Sequence, residues 1–244
     1  MKIKTISTGS KGNGYSLISG EDVLLLECGV PAKEMLKAID YRTSMVNGCI
    51  LSHIHGDHAG YIKQYMRYGI MVYTSDEVQS DIETIMGERT IGLQRMKRQQ
   101  MGSFSVIPFR VPHGDAECDG WLIDTAEGRV LFITDAEYCP YDFSKMHINY
   151  GLIECNYSMD NISFEHDEVK NRRVVQTHME VQTCKRLIQS INSESLRSIG
   201  LIHLSAENGN PQRFRDEIRS VVDSDVNVWI AEKGAEKEFR LTPF

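Results

Sequence analysis

The chain has 244 residues, 41% of them hydrophobic and 25% charged, the balance of an ordinary folded domain. This excludes a disordered chain, a coiled coil and a small scaffold dependent on disulfides, because a chain this long buries well over half of its unfolded surface. The net charge of −7, from 34 acidic and 27 basic residues, argues against broad non-specific affinity for nucleic acid, although a cationic cleft or a bound metal reverses the sign locally.

No repeat, low-complexity tract or Pro/Ser-rich linker interrupts the chain, so one domain over residues 1–244 is expected. No apolar run approaches the roughly 18–20 residues of a membrane span, and no membrane association is expected. The N-terminal MKIKTISTGSKGNG carries charge but no apolar region, so no secretory signal is expected. The six cysteines (28, 49, 118, 139, 155 and 184) form no CxxC pair, which suits reduced thiols in a cytoplasmic protein.

In chain order, residues 2–6 and 15–19 read as strands around a Gly/Ser loop, 9–14. Residues 23–27 form a short buried strand between Gly20 and Gly29. Pro31 starts a helix to about Ile39. Residues 48–52 form a strand that runs directly into HIHGDHAG. Residues 58–68 read as one helix ended by Gly69. Residues 75–86 read as another, with Ser75 as cap and acidic residues in the first turn. Strands follow at 105–111, 121–124, 130–134, 150–154, 199–203 and 226–230, with helices at 180–190 and 211–222. Residues 87–104 and 157–173 read as solvated loops or helix faces. Strands with interspersed helices give an α/β or α+β class.

The sharpest signal is Ser52-His53-Ile54-His55-Gly56-Asp57-His58. In extended chain His53 and His55 point to the same side. Gly56 lets the chain turn, and Asp57 and His58 enter the first helical turn. One loop thereby supplies ligands to two adjacent cation sites. Imidazole with carboxylate suits zinc, iron or manganese rather than calcium or magnesium. A histidine-rich surface loop is the bland alternative, and four ligand-type residues at this spacing weigh against it. The remaining ligands must come from elsewhere. His113, Asp135 and His203 each follow an apolar strand, where the site residues of layered sheets collect.

These residues resemble the metallo-β-lactamase superfamily, whose HxHxDH motif matches residues 53–58 in full. The resemblance implies an α+β, four-layer αββα sandwich over nearly the whole chain and a two-metal centre. It assigns His53, His55 and His113 to one metal, Asp57, His58 and His203 to the other, and Asp135 to both. The ions implied are two divalent metals, zinc or manganese, with iron also compatible. The loop Ser7-Thr8-Gly9-Ser10-Lys11-Gly12-Asn13 is similar to the GSGSSGN loop of YycJ/WalJ-type exonucleases. His203-Leu204-Ser205-Ala206-Glu207-Asn208-Gly209-Asn210-Pro211 is similar to their HLSxxNN-Pro segment. Glu27 stands where many relatives carry Asp, at a position that supports the HxHxDH loop. No long insertion follows Asp135, which separates the chain from β-CASP RNA-processing enzymes, and no Gly/Pro-rich arm of the tRNA 3′-processing kind is present.

What the resemblance implies chemically is a phosphodiesterase or nuclease, in which two metals suit in-line displacement at phosphorus. Asp57 and Asp135 serve the metal chemistry. The pair Glu154 and His178 resembles the Glu…His arrangement that phosphodiesterases of this fold use as general acid, against the alternative that His178 merely caps the next helix. Ser10, Asn13, Ser205 and Asn208 are the candidate substrate contacts, with Lys11 beside them. Arg95, Lys97, Arg98, Arg172 and Arg173 are candidates for a nucleic-acid backbone, with a solvated face the preferred reading. His147 and His166 read as surface imidazoles. The expected partner is a phosphodiester, DNA among the candidates, and the sequence fixes no oligomeric state. The alternatives are a small-molecule hydrolase (lactone, thioester or cyclic phosphodiester) on the same centre, or a non-catalytic metal-binding protein.

Overall fold

Strand β3 (Asp22–Leu26) and strand β10 (Gly128–Ile133) each end in an unbroken run of four buried apolar residues because both of their faces are covered there. Leu24 and Leu26 face a core that also holds Val130 and Phe132. Their neighbours Val23 and Leu25 face a second core, and Leu131 and Ile133 a third. This period-two partition sets the layers. The computed structural model describes residues 1–163, 165 and 167–239.

The first sheet contains β1 (Lys2–Ser7), β2 (Gly14–Ser19), β3, β4 (Val46–Ile50), β5 (Val72–Ser75), β6 (Ile91–Leu93) and β14 (Glu236–Glu238), in the order β14-β1-β2-β3-β4-β5-β6. The second contains β7 (Gln99–Met101), β8 (Phe104–Arg110), β9 (Asp119–Thr125), β10, β11 (Tyr150–Glu154), β12 (Ser198–Ile202) and β13 (Asn227–Ile230), in the order β13-β12-β11-β10-β9-β8-β7. The sheets pack on each other through Tyr15, Leu17, Phe104, Trp121, Phe132 and Leu152. Helices α1 (Ala32–Ala38), α2 (Gly56–Ala59), α3 (Ile62–Arg67) and α4 (Asp76–Asp81) cover the outer face of the first sheet. Helices α6 (Val181–Ile191) and α7 (Pro211–Arg219) cover the outer face of the second. The result is the four-layer αββα sandwich of the α+β class. Among the described residues no helix is long and apolar enough to cross a membrane.

Strands β3 to β6 are mutually parallel, as are β10 to β13. Glu27, Ser52, Asp135, Glu154 and His203 therefore gather where β3, β4, β10, β11 and β12 end, the usual place for ligand sites in such sheets.

Three local expectations need correction. The helix expected over 58–68 is two pieces, α2 and α3. Tyr61 N–H donates to the Cys28 carbonyl (2.9 Å), while the Asp57 carbonyl, which would continue the helix, accepts from Asn13 N–H (2.7 Å). Residues 87–104 contain β6 and β7. Their outward residues Ile91, Gln99 and Gln100 are exposed, so no alternating pattern marked them. Residues 157–173 contain a 3-10 turn (Met159–Asn161) and the start of α5 (Glu168–Thr177). Within α5 only Asn171 is buried, so the apolar stripe that signals a helix is missing. Ser75 does cap α4, accepting from Val78 N–H. His166 lies outside the described residues.

Candidate metal centre

The loop after β4 delivers four of the seven expected ligands, and tertiary contacts bring the other three to it. His53 Nε2 and His113 Nε2 each lie 3.0 Å from His55 Nδ1. Asp135 Oδ2 stands 3.8 Å from His53 Nε2 and 3.7 Å from His113 Nε2. The other oxygen, Asp135 Oδ1, lies 3.2 Å from both His58 Nε2 and His203 Nε2. Asp57 Oδ2 completes that second set at 3.6 Å from the same two nitrogens. Each of these two four-residue sets has donor atoms within 4.8 Å of one another, and they share Asp135; Asp135, Glu154, His178 and His203 form a third such group.

The donor chemistry fits a pair of divalent cations. Ring nitrogens and carboxylate oxygens are the ligand types of zinc, iron and manganese. His203 Nε2 is buried without a hydrogen-bond partner, a costly state that a cation relieves. His53, His55, Asp57, His58, His113, Asp135 and His203 are the residues that would hold the ions.

A second layer fixes the rings. Glu27 is buried and left-handed at φ +68°. Its Oε2 lies 3.0 Å from His58 Nδ1, and its Oε1 accepts Ser52 N–H at 3.1 Å. The longer side chain therefore spans from the strand end to both loop and ligand. Ser52 Oγ meets His53 Nδ1 at 2.8 Å, and His113 Nδ1–H donates to the Thr177 carbonyl at 2.6 Å. Such partners set ring orientation and ligand basicity. Asp135 and His203 are also left-handed, at φ +47° and +53°, a strain typical of residues held for function.

The charges split the two sets. Burial pushes the His53, His55 and His113 imidazoles below their usual range, which keeps lone pairs available for a metal. Burial also opposes charge on His58, but the Asp135 and Glu27 carboxylates outweigh it and raise this group well above its usual range. For His203 the same contest, with Asp135, Asp57 and Glu154 against burial, ends at about 10. Burial raises Asp135, yet the facing His203 and His58 hold it well below the usual carboxylate range.

Glu154 and His178 also reach this centre. His178 Nδ1 lies 2.7 Å from Glu154 Oε1 and 3.9 Å from Asp135 Oδ2. The His178 ring stacks on His203 at 5.2 Å between centroids and meets His113 edge-on at 5.7 Å. Glu154 is fully buried, and its Oε2 accepts Ala136 N–H at 2.8 Å. Burial pushes this carboxyl up, and His178 and His203 overcome that and hold it below its ordinary value.

The candidate substrate contacts divide. Ser10 is exposed at the tip of the N-terminal loop. Asn13 is buried, with Oδ1 accepting Gly9 N–H at 2.8 Å and Nδ2 lying 2.9 Å from His58 Nε2. Ser205 Oγ caps its own turn by accepting Asn208 N–H at 3.1 Å, and Asn208 is buried. Three supporting residues have no signal of their own in the sequence. Thr8 Oγ1 accepts His203 N–H at 2.8 Å, Asn156 Nδ2 donates to the His203 carbonyl at 2.7 Å, and Gly29 lets the Asn13 and Asp57 backbones approach. Thr8 and Asn156 do lie in the segments whose resemblance pointed to Asn13 and Glu154. Of the candidate backbone cations, Arg95 is tied to Asp119 (2.6 Å) and Glu117 (2.8 Å), Arg98 to Asp124, and Arg172 to Glu168.

No curated protein matches the chain. Among solved structures, YhfI from Bacillus subtilis, a metallo-beta-lactamase fold protein, is 22% identical, with a TM-score of 0.75 over 97% of this chain and 99% of its own. Zn(2+)-bound PqqB from Methylobacterium extorquens is 12% identical, with a TM-score of 0.68 over 98% of this chain and 100% of its own. The short form of human tRNase Z is 14% identical, with a TM-score of 0.65 over 98% and 99%. At such identities the likeness is one of fold, and function has to be argued from the site. The beta-lactamase superfamily domain matches residues 25–203, a span that holds every residue of the two ligand sets, and the chain belongs to that family.

Proposed function

We propose that the protein is a two-metal phosphodiesterase of the nuclease type, on the YycJ/WalJ exonuclease side of its family. The observation that carries this reading is the Glu154–His178 pair, closed at 2.7 Å and set against Asp135. A phosphodiester needs a proton on its leaving alkoxide, and a positioned imidazole can supply it. A tRNase Z, a nuclease by its name, stands among the fold neighbours, which supports the same reading.

Two divalent cations held there would lower the pKa of water towards about 7 and offset negative charge on a phosphoryl group. The chain's own residues do the rest. Asp135, with one oxygen toward each ligand set, would serve both cations. Glu154 Oε1 accepts the Nδ1–H of His178 and fixes the orientation of the ring, leaving Nε2 to face the substrate. His178, with a side chain 18% exposed, passes a proton to the leaving oxygen. Ser10 and Lys11, exposed on the loop before β2, are assigned to the outer part of the substrate in this reading.

A hydrolase of small molecules on the same centre is the second reading. It is favoured by the ion pairs that occupy Arg95, Arg98 and Arg172, cations that a nucleic-acid backbone would otherwise use. The test loads purified protein with manganese or zinc and offers bis-p-nitrophenyl phosphate, labelled single- and double-stranded DNA, and a lactone panel. The account predicts phosphodiester cleavage that Asp57→Ala abolishes. His178→Ala should lower kcat by about 10²–10⁴ with metal content unchanged. Lactone turnover without cleavage of any phosphodiester would overturn the nuclease reading.

A further inference from the structure

The three segments that deliver Asp135, Glu154 and His178 do not end at the metal centre. Glu137 and Tyr138 follow Asp135, Tyr157 follows Glu154, and Glu180 follows His178. All four line one groove of about 540 Å³, closed on its other sides by Tyr141, Val175 and the Thr183, Arg186, Leu187 and Ser190 face of α6. The volume falls in the range of small-molecule sites, about 300–1,000 Å³. Backbone contacts tie the groove to the ligand shell. Glu137 N–H donates to the carbonyl of Pro112, the residue before His113, and Val181 N–H donates to the Tyr157 carbonyl.

Its lining is aromatic and bifunctional. Tyr138 is 46% exposed, an open ring face at the rim. Tyr157 is only 3% exposed, and the part of it that is open lines the groove. Glu137 lines the groove, Glu180 spends its Oε2 on the cap of α6, and Arg186 reaches Thr183 at the groove wall. Stacking faces flanked by carboxylate acceptors and a guanidinium donor match a heteroaromatic base, which has a π-face and an edge of mixed donors and acceptors. An aliphatic lactone or thioester would leave these groups unmatched.

We propose that this groove is a nucleobase subsite, seating the base of the nucleotide whose phosphate lies at the metal centre. The assignment rests on the phosphodiesterase reading and narrows its substrate to nucleotides. Tyr138 stacks on the base, and the Tyr157 hydroxyl and Glu137 carboxylate meet its edge.

Binding to chelator-treated protein tests this without catalysis. Deoxyadenosine 5′-monophosphate and deoxyribose 5-phosphate are titrated by calorimetry against the wild type, Tyr138→Ala and Tyr157→Phe. The first change removes an exposed ring and the second a single oxygen, so both chains should fold. The nucleotide should bind the wild type, lose about tenfold or more in affinity with Tyr138→Ala, and lose less with Tyr157→Phe, while the sugar phosphate binds at least tenfold more weakly. Equal affinities for nucleotide and sugar phosphate, or for wild type and Tyr138→Ala, would overturn the subsite. So would tight binding of spermidine that Glu137→Gln abolishes, because the groove would then select an amine. If metal-loaded protein cleaves bis-p-nitrophenyl phosphate but the groove fails these titrations, the subsite alone falls. If the nucleotide binds as expected and no phosphodiester is cleaved, the phosphodiesterase reading falls.

Discussion

Glu27 shows how one side chain can be both a departure from a pattern and a working part of it. An Asp at the strand end would be one methylene shorter. Here the left-handed backbone at φ +68° turns the chain, and the extra length lets one carboxylate reach Ser52 N–H and His58 Nδ1 together. The sequence exposed the substitution but not the dihedral that accommodates it. Glu27→Ala should weaken metal binding by about 10–100-fold, the usual effect of losing an outer partner of a ligand, read by competition with a chromophoric chelator. His203 gives a pH prediction. In the metal-free chain its pKa is raised from 6.5 to about 10, so it binds more protons folded than unfolded between those values. The stability it contributes is complete below about 6.5 and is lost as pH rises through about 10. The Tm of chelator-treated protein should fall over that window, and His203→Gln should flatten the fall. Metal loading near pH 7.5 should release protons, because the ligand form of imidazole is neutral. Calorimetry in buffers of different ionisation enthalpy measures that release.

The N-terminal loop between β1 and β2 links the two sheets at the centre. Its Asn13 touches His58, its Thr8 receives His203 N–H, and the Tyr15 hydroxyl lies 2.8 Å from Thr8 Oγ1. Both histidines belong to the ligand set of Asp57, and neither to the set of His53, His55 and His113. Asn13→Ala should therefore reduce bound metal from two ions per chain towards one, counted by elemental analysis, with the His53 set still filled. Gly29 is the close-approach point. A Cβ there would lie 1.7 Å from the Asp57 carbonyl oxygen and 2.6 Å from Asn13 N. Gly29→Ala should cost about 1–3 kcal/mol, as overpacking usually does, seen as a lower denaturation midpoint together with loss of metal. The sequence marked Gly29 only as the end of a strand, since the partner at 1.7 Å lies 28 positions away. The central strands and the capped helix α4 were legible because their residues carry a burial period or a cap. Helix α5 and strands β6 and β7 were not, because they expose most of what they contain.

At the scale of the molecule, alternating burial along β3 and β10 creates three cores, and the parallel strand ends place acid and imidazole groups from both sheets at one edge. The sandwich was legible through the motif resemblance more than through the pattern of apolar residues, which gave only the α/β or α+β class. The sequence reading preferred a solvated face to a nucleic-acid track for the candidate cations, and the fold pairs Arg95, Arg98 and Arg172 with Asp119, Asp124 and Glu168. With net charge −7 and those cations occupied, binding of single-stranded DNA should depend only shallowly on salt, with a log–log slope smaller in magnitude than about 3. Fluorescence anisotropy between low and moderate salt checks it, and a slope much steeper than that would reveal a cationic track absent from this account. The central claim is the pair of cations. Crystals grown with zinc or manganese and measured at the absorption edge of the metal should show two anomalous peaks, one among His53, His55, His113 and Asp135, the other among Asp57, His58, His203 and Asp135. No peak at these residues, or one lying away from Asp135, would contradict it.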